Sequence, residues 1–72
     1  MQVLRTEYFD CNLYRWVGFF ETVPKNLDKA RKCLKSPKIE SPYIRLVICE
    51  KSCGKKRNYY KLLKIMEVSH NV

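Results

Sequence analysis

All three prolines of the chain, Pro24, Pro37 and Pro42, fall between positions 24 and 42, and they decide what the chain can fold into. Proline fixes φ and donates no backbone hydrogen bond, so it punctuates helices and strands. Pro24 and Pro37 enclose KNLDKARKCLKS, where Leu27, Ala30 and Leu34 recur at helical spacing with Cys33 at the margin. Asn26 stands where an N-cap is needed, Asp28 in the first turn and Lys35 in the last, as the helix dipole favours. Asp28 and Lys32 make an i,i+4 pair. A helix is therefore expected over 25–35, stopped by Ser36-Pro37, with Lys25, Lys29, Arg31, Lys32 and Lys35 on its outer side. SPKIESP, 36–42, reads as a connection.

The flanking segments are rich in β-formers. Val3 to Phe9 is a short strand candidate, followed by the turn residues Asp10, Cys11 and Asn12. LYRWVGFFETV, 13–23, is aromatic and branched, and Gly18 interrupts any helical reading. YIRLVICEK, 43–51, alternates Ile44, Leu46 and Ile48 with Tyr43, Arg45, Val47, Cys49 and Lys51. NYYKLLKIMEV fits a second hairpin strand if Ser52-Cys53-Gly54 is a three-residue loop with Gly54 left-handed. That register pairs Lys51 with Lys55 and Val47 with Tyr59. It collects Ile44, Leu46, Ile48, Tyr60 and Leu62 on one face, and Tyr43, Arg45, Val47, Cys49, Arg57, Tyr59, Lys61 and Leu63 on the other. It also sets Arg45 opposite Lys61, a like-charge pair. Tyr59, Leu62, Leu63 and Met66 suit a helix over 57–68 as the alternative. The expected fold class is α+β: a small antiparallel sheet of three or four strands, in the order β-β-α-β-β, with one main helix packed on one face.

With 72 residues the chain is one small basic domain, 1–72, with 69–72 as a frayed tail. Its net charge of +8 is uneven. Residues 1–24 carry two cations against three acids, a balance of −1. Residues 25–64 carry thirteen against three, a balance of +10. Such a field attracts an anionic macromolecule, either nucleic acid or an acidic protein surface. MQVLRTEYFD resembles no signal peptide, and no run of eighteen apolar residues exists, so no transmembrane segment is expected and a cytoplasmic location is. Cys11, Cys33, Cys49 and Cys53 are then free thiols.

Catalytic chemistry finds little support. The single histidine, His70, sits near the end of the chain, the acids are scattered, and GKKR matches no phosphate-binding loop. Cys49-x3-Cys53 supplies one ligand pair where zinc asks for four converging ligands. Neither a metal nor another cofactor is expected, and the chain is expected to be non-enzymatic. Binding remains. Arg45, Lys51, Lys55, Lys56, Arg57 and Lys61 form a strip around the hairpin tip, with Tyr43 and Tyr59 interleaved to stack on bases; Lys29, Lys32 and Lys35 add a second strip. The expected function is binding of nucleic acid (single-stranded or structured RNA or DNA) or nucleoprotein through the basic hairpin. The alternative is a small regulator or inhibitor, of the kind viruses and mobile elements encode, docking on an acidic or nucleic-acid-receiving surface of a protein. Trp16 and Phe20, on one side of their strand, are the expected anchor for such a partner or for a homodimer.

Overall fold

The computed structural model describes residues 1–35, 41 and 43–70. It holds one four-stranded antiparallel sheet and one short helix, a small α+β architecture. Along the chain come β1 (Gln2–Asp10), β2 (Arg15–Thr22), a 3-10 turn (Pro24–Asn26), α1 (Leu27–Cys33), β3 (Tyr43–Cys53) and β4 (Asn58–His70). The separate 3-10 element departs from the expected β-β-α-β-β order, and in space the strands run β2-β1-β3-β4. The connection 36–42 lies outside the described residues apart from Ser41. Ser69 and His70, read as tail in the sequence, lie in β4 opposite Ile44 and Tyr43, and 71–72 lie outside the described residues.

Pro24 opens the 3-10 turn, and α1 follows with Asp28 in its first turn and Arg31 and Lys32 in its last. Asn26 sits at the N-cap position but makes no capping bond; its Nδ2 donates to Thr22 Oγ1 at 3.0 Å and ties the helix entry to the end of β2. Ala30 and Leu34 are buried against Leu4, Ile44 and Leu46, with Tyr8, Phe19, Phe20, Leu27, Ile48 and Met66 packed around them. Burying each of Leu4, Leu34, Ile44 and Leu46 contributes roughly 1.5–3 kcal/mol. Ser41 pins the start of β3: its Oγ lies 2.7 Å from the Phe9 carbonyl and accepts the Tyr43 N–H at 3.2 Å.

Three irregularities set which residues share a face. A bulge between Thr6 and Glu7 puts Phe20 opposite Thr6 but Gly18 opposite Glu7. Trp16 therefore faces away from the helix, against Phe9, while Phe20 packs toward it. Trp16 and Phe20 therefore do not share one side of their strand, as the sequence led one to expect. Two further shifts in β4 leave Leu63 and Met66 as extra residues against β3.

The β3–β4 turn also departs from expectation. Cys53 pairs with Asn58, and the loop is Gly54–Arg57, closed by a 2.9 Å bond from Gly54 N–H to the Arg57 carbonyl. Lys51 thus faces Tyr60 rather than Lys55, an odd displacement that moves Tyr60 and Leu62 to the opposite face from Ile44 and Leu46. The like-charge pair disappears: Lys61 now opposes Glu50 and Arg45 opposes Val68. Gly54 has no positive φ. It is needed for space, since a Cβ there would stand 2.7 Å from the Arg57 carbonyl and 2.5 Å from the Tyr59 ring. The helical alternative for 57–68 gives way to β4.

Candidate functional site

Among the described residues one helix covers one sheet face, and no element covers the other. Its centre holds Val3, Val47 and Cys49, all buried. What shields them is a chain of charged and aromatic side chains. The carboxylate of Glu7, a residue only 5% exposed, receives Arg45 Nε at 2.8 Å and lies 3.3 Å from Arg5 Nη1. The Arg45 guanidinium stacks on Trp16 at 4.2 Å, and that of Arg5 on Tyr60 at 3.8 Å. Tyr60 donates its hydroxyl to Glu21 Oε1 at 2.6 Å, and Lys51 Nζ donates to Glu21 Oε2 at 2.6 Å. Gly18 makes room: a Cβ there would collide with the Arg5 guanidinium. Trp16, Arg45, Glu7, Arg5, Tyr60, Glu21 and Lys51 thus form a continuous network with three cations and two carboxylates.

Its electrostatics follow from these contacts. Burial pushes the Glu21 carboxyl up, but the hydrogen bonds from Lys51 and Tyr60 outweigh it and hold the group below the usual carboxylate range. The Glu21 hydrogen bond raises Lys51 in turn. Burial pushes the Cys49 thiol up, which keeps it protonated and unreactive.

The residues expected to grip phosphate are thereby divided. Arg45 and Lys51 are committed to Glu7 and Glu21 inside the network. Lys55, Lys56 and Arg57 are exposed in the loop, and Lys61 is exposed on β4; none has an ion-pair partner among the described residues. Arg57 lies over the Tyr59 ring at 5.2 Å. Tyr43 and Tyr59 are both exposed, but at opposite ends of the β3–β4 pair: Tyr43 opposes His70, whereas Tyr59 opposes Ser52 beside the loop. Tyr59 shares its face with Lys61 and Lys64, on the helix side of the sheet. Lys29 and Lys32 are exposed on α1, and Lys35, expected on the helix, is exposed in the turn just past its end. Lys32 and Lys35 join Arg31, Leu34, Glu67, Val68 and Ser69 around an open groove of about 530 Å³, which the Arg31–Glu67 ion pair crosses at 3.2 Å.

Arg5, Glu7, Glu21 and Tyr60 escaped the sequence reading. Their signal was the alternation of Val3, Arg5 and Glu7 along one face of β1, which needed the β1–β3 register to be read. Cys49 is buried in the sheet while Cys53 is exposed beside the turn, and no group of three or more His, Cys, Asp or Glu converges among the described residues. No described helix is long and apolar enough to cross a membrane. No protein-family model, curated protein or solved structure matches the chain.

Proposed function

We propose that the protein is a non-enzymatic, cytoplasmic binder of RNA or DNA that engages the phosphate backbone with the β3–β4 tip and the helix-side cations. The observation that carries this reading is the segregation of charge. Cations on the open face are matched by carboxylates at 2.6–3.3 Å. Lys55, Lys56, Arg57 and Lys61 stand exposed without such partners among the described residues. The pair runs past the end of β1, whose ladder reaches Glu50 and Lys51, so the tip projects as a two-stranded arm. An arm of this width fits a nucleic-acid groove. With Tyr43 and Tyr59 apart, base stacking is limited to Tyr59, which favours a structured backbone over an extended single strand.

The test is a panel of labelled duplex and single-stranded RNA and DNA, titrated at several salt concentrations. Each phosphate contact contributes about 0.9 to the slope of log K against log salt for a duplex, so replacing Lys55, Lys56 and Arg57 by Ala should lower it by about 2–3. Absence of salt-sensitive binding at low ionic strength would sink the proposal.

The separation of Tyr43 from Tyr59 also favours a second reading, in which the same cations dock on an acidic or nucleic-acid-receiving surface of a protein, as a small regulator or inhibitor does. Co-purification of one stoichiometric acidic protein from nuclease-treated extract, without nucleic-acid binding by the purified domain, would select it.

A further inference from the structure

We propose that β4 is a homodimer interface, through which two copies join edge to edge into one eight-stranded sheet. β4 is the last strand of the sheet, and no described segment pairs with its outer edge. It is 13 residues long, and its open-face row is apolar and bare: Leu62 is 45% exposed, Ile65 47% and Val68 50%. The charges β4 carries, Lys61, Lys64 and Glu67, lie on its helix side, and a long edge with a bare apolar row is ordinarily covered by a partner.

The sequence of β4 is complementary to itself. Antiparallel pairing about a two-fold axis at Ile65 sets Ile65 against its own copy and Leu62 against Val68 of the other. All three lie on the open face, since Leu62, Ile65 and Val68 oppose Cys49, Val47 and Arg45 of β3. On the helix side Lys61 meets Ser69, with Glu67 diagonally beside it and within reach of a long side chain. Two symmetric Lys61–Glu67 contacts form across the axis, each Glu67 sharing its carboxylate with Arg31 of its own copy, against a single diagonal approach of Lys64 to its copy. A centre at Lys64 would instead bring the two Lys64 residues face to face and set Leu62 against Met66, which packs on the other side.

Net charge narrows the choice of surface. At +8 each, two copies repel wherever their cations are unmatched. The open face is nearly balanced by Glu7 and Glu21, and the adjoining Leu62–Val68 row is apolar, so this edge is the place where copies can meet. The axis stands perpendicular to the sheet, which puts both helices and both Lys61–Lys64 rows on one side.

Light scattering on the purified chain should give twice its 8.7 kDa mass at micromolar concentration. Ile65→Lys places two ammonium groups together on the axis and should weaken dimerisation about 30-fold or more while far-UV circular dichroism is retained. In a Cys11→Ser, Cys53→Ser background, Ile65→Cys should be cross-linked between copies by a short bis-maleimide, and Leu13→Cys should not. A monomer at all concentrations, a dimer that Ile65→Lys leaves intact, or equal cross-linking at 13 and 65 would each overturn the proposal. If Ile65→Lys fails to fold, the cross-linking pair alone decides. Nucleic-acid binding does not enter these readouts, so the two proposals stand or fall separately.

Discussion

Glu7→Gln probes the open face most directly. The substitution keeps the shape of the side chain and removes one charge at the point where two guanidiniums meet. Arg5 and Arg45 are 18% and 14% exposed in their side chains, and each is held on its other side by an aromatic ring. Neither can swing fully into water without uncovering Val3, Val47 and Cys49. A glutamine oxygen can still accept from Arg45, but its amide opposes Arg5. A hydrogen bond to a charged group contributes about 1.5–3 kcal/mol, and breaking a fully buried pair costs about 3–5 kcal/mol. The partial exposure of both arginines lowers that upper range, and a loss of about 2–3 kcal/mol follows. For a domain of this size each kcal/mol shifts Tm by about 4–8 °C, so the expected fall is about 8–24 °C. Urea denaturation, read by Trp16 fluorescence, supplies the free energy. Adding Arg5→Met to Glu7→Gln should recover part of the loss, because the unmatched cation is then gone. A loss below about 0.5 kcal/mol, or no recovery in the double variant, would refute the view that this network is the second layer of the fold.

Other expectations follow from single contacts. Thr6 is fully buried on the helix side and its hydroxyl has no hydrogen-bond partner among the described residues, so Thr6→Val should stabilise the domain by about 1 kcal/mol in the same denaturation experiment. Thiol titration of the native protein should find Cys11 and Cys53 fast and Cys49 slow, with Cys49 released only by denaturant. Glu21 has a depressed pKa, so its stabilising effect is complete above the unfolded carboxylate value of about 4.3 and is lost as pH falls through the lower, folded value. Glu21→Gln should therefore destabilise at pH 7, and its difference from the parent should shrink as pH is lowered through and below 4.

What the sequence made legible was local. Leu27, Ala30 and Leu34 announced the helix, and Ile44, Leu46 and Ile48 announced its sheet partner; all these positions lie in or against one core. What it hid were insertions of single residues. The bulge at Thr6/Glu7 sends Trp16 and Phe20 to opposite faces, and a four-residue loop in place of three sends Tyr60 and Leu62 across the sheet. Because side chains alternate with period two, an odd error in register reverses every assignment beyond it. One clue was present: the expected register set Arg45 against Lys61, a clash that the observed pairing of Lys61 with Glu50 removes. The candidate site divided along the same line. Exposure of Lys55, Lys56 and Arg57 was readable from the turn, whereas the commitment of Arg45 and Lys51 depended on Glu7 and Glu21, residues far away in sequence.

Among the described residues one helix covers one face of the sheet, and the second face is shielded by other means. Hydrophobic side chains alone would leave an apolar patch, and large contiguous apolar patches are rare on monomers in water. Arginine stems and aromatic rings cover apolar surface while leaving polar atoms outward, and Glu7 and Glu21 neutralise the charge that comes with them. The positive charge that remains for a partner is consequently displaced to the loop, to β4 and to α1. On the proposed reading an anionic partner would be drawn to that side, while the balanced face and the bare Leu62–Val68 row would be left for contact with a second copy. Reversing Lys55 and Lys56 to Glu should therefore abolish salt-sensitive binding and leave the Ile65-centred dimer unchanged, because the tip and the dimer axis are separate along β4. Loss of both together would mean that the two surfaces are one.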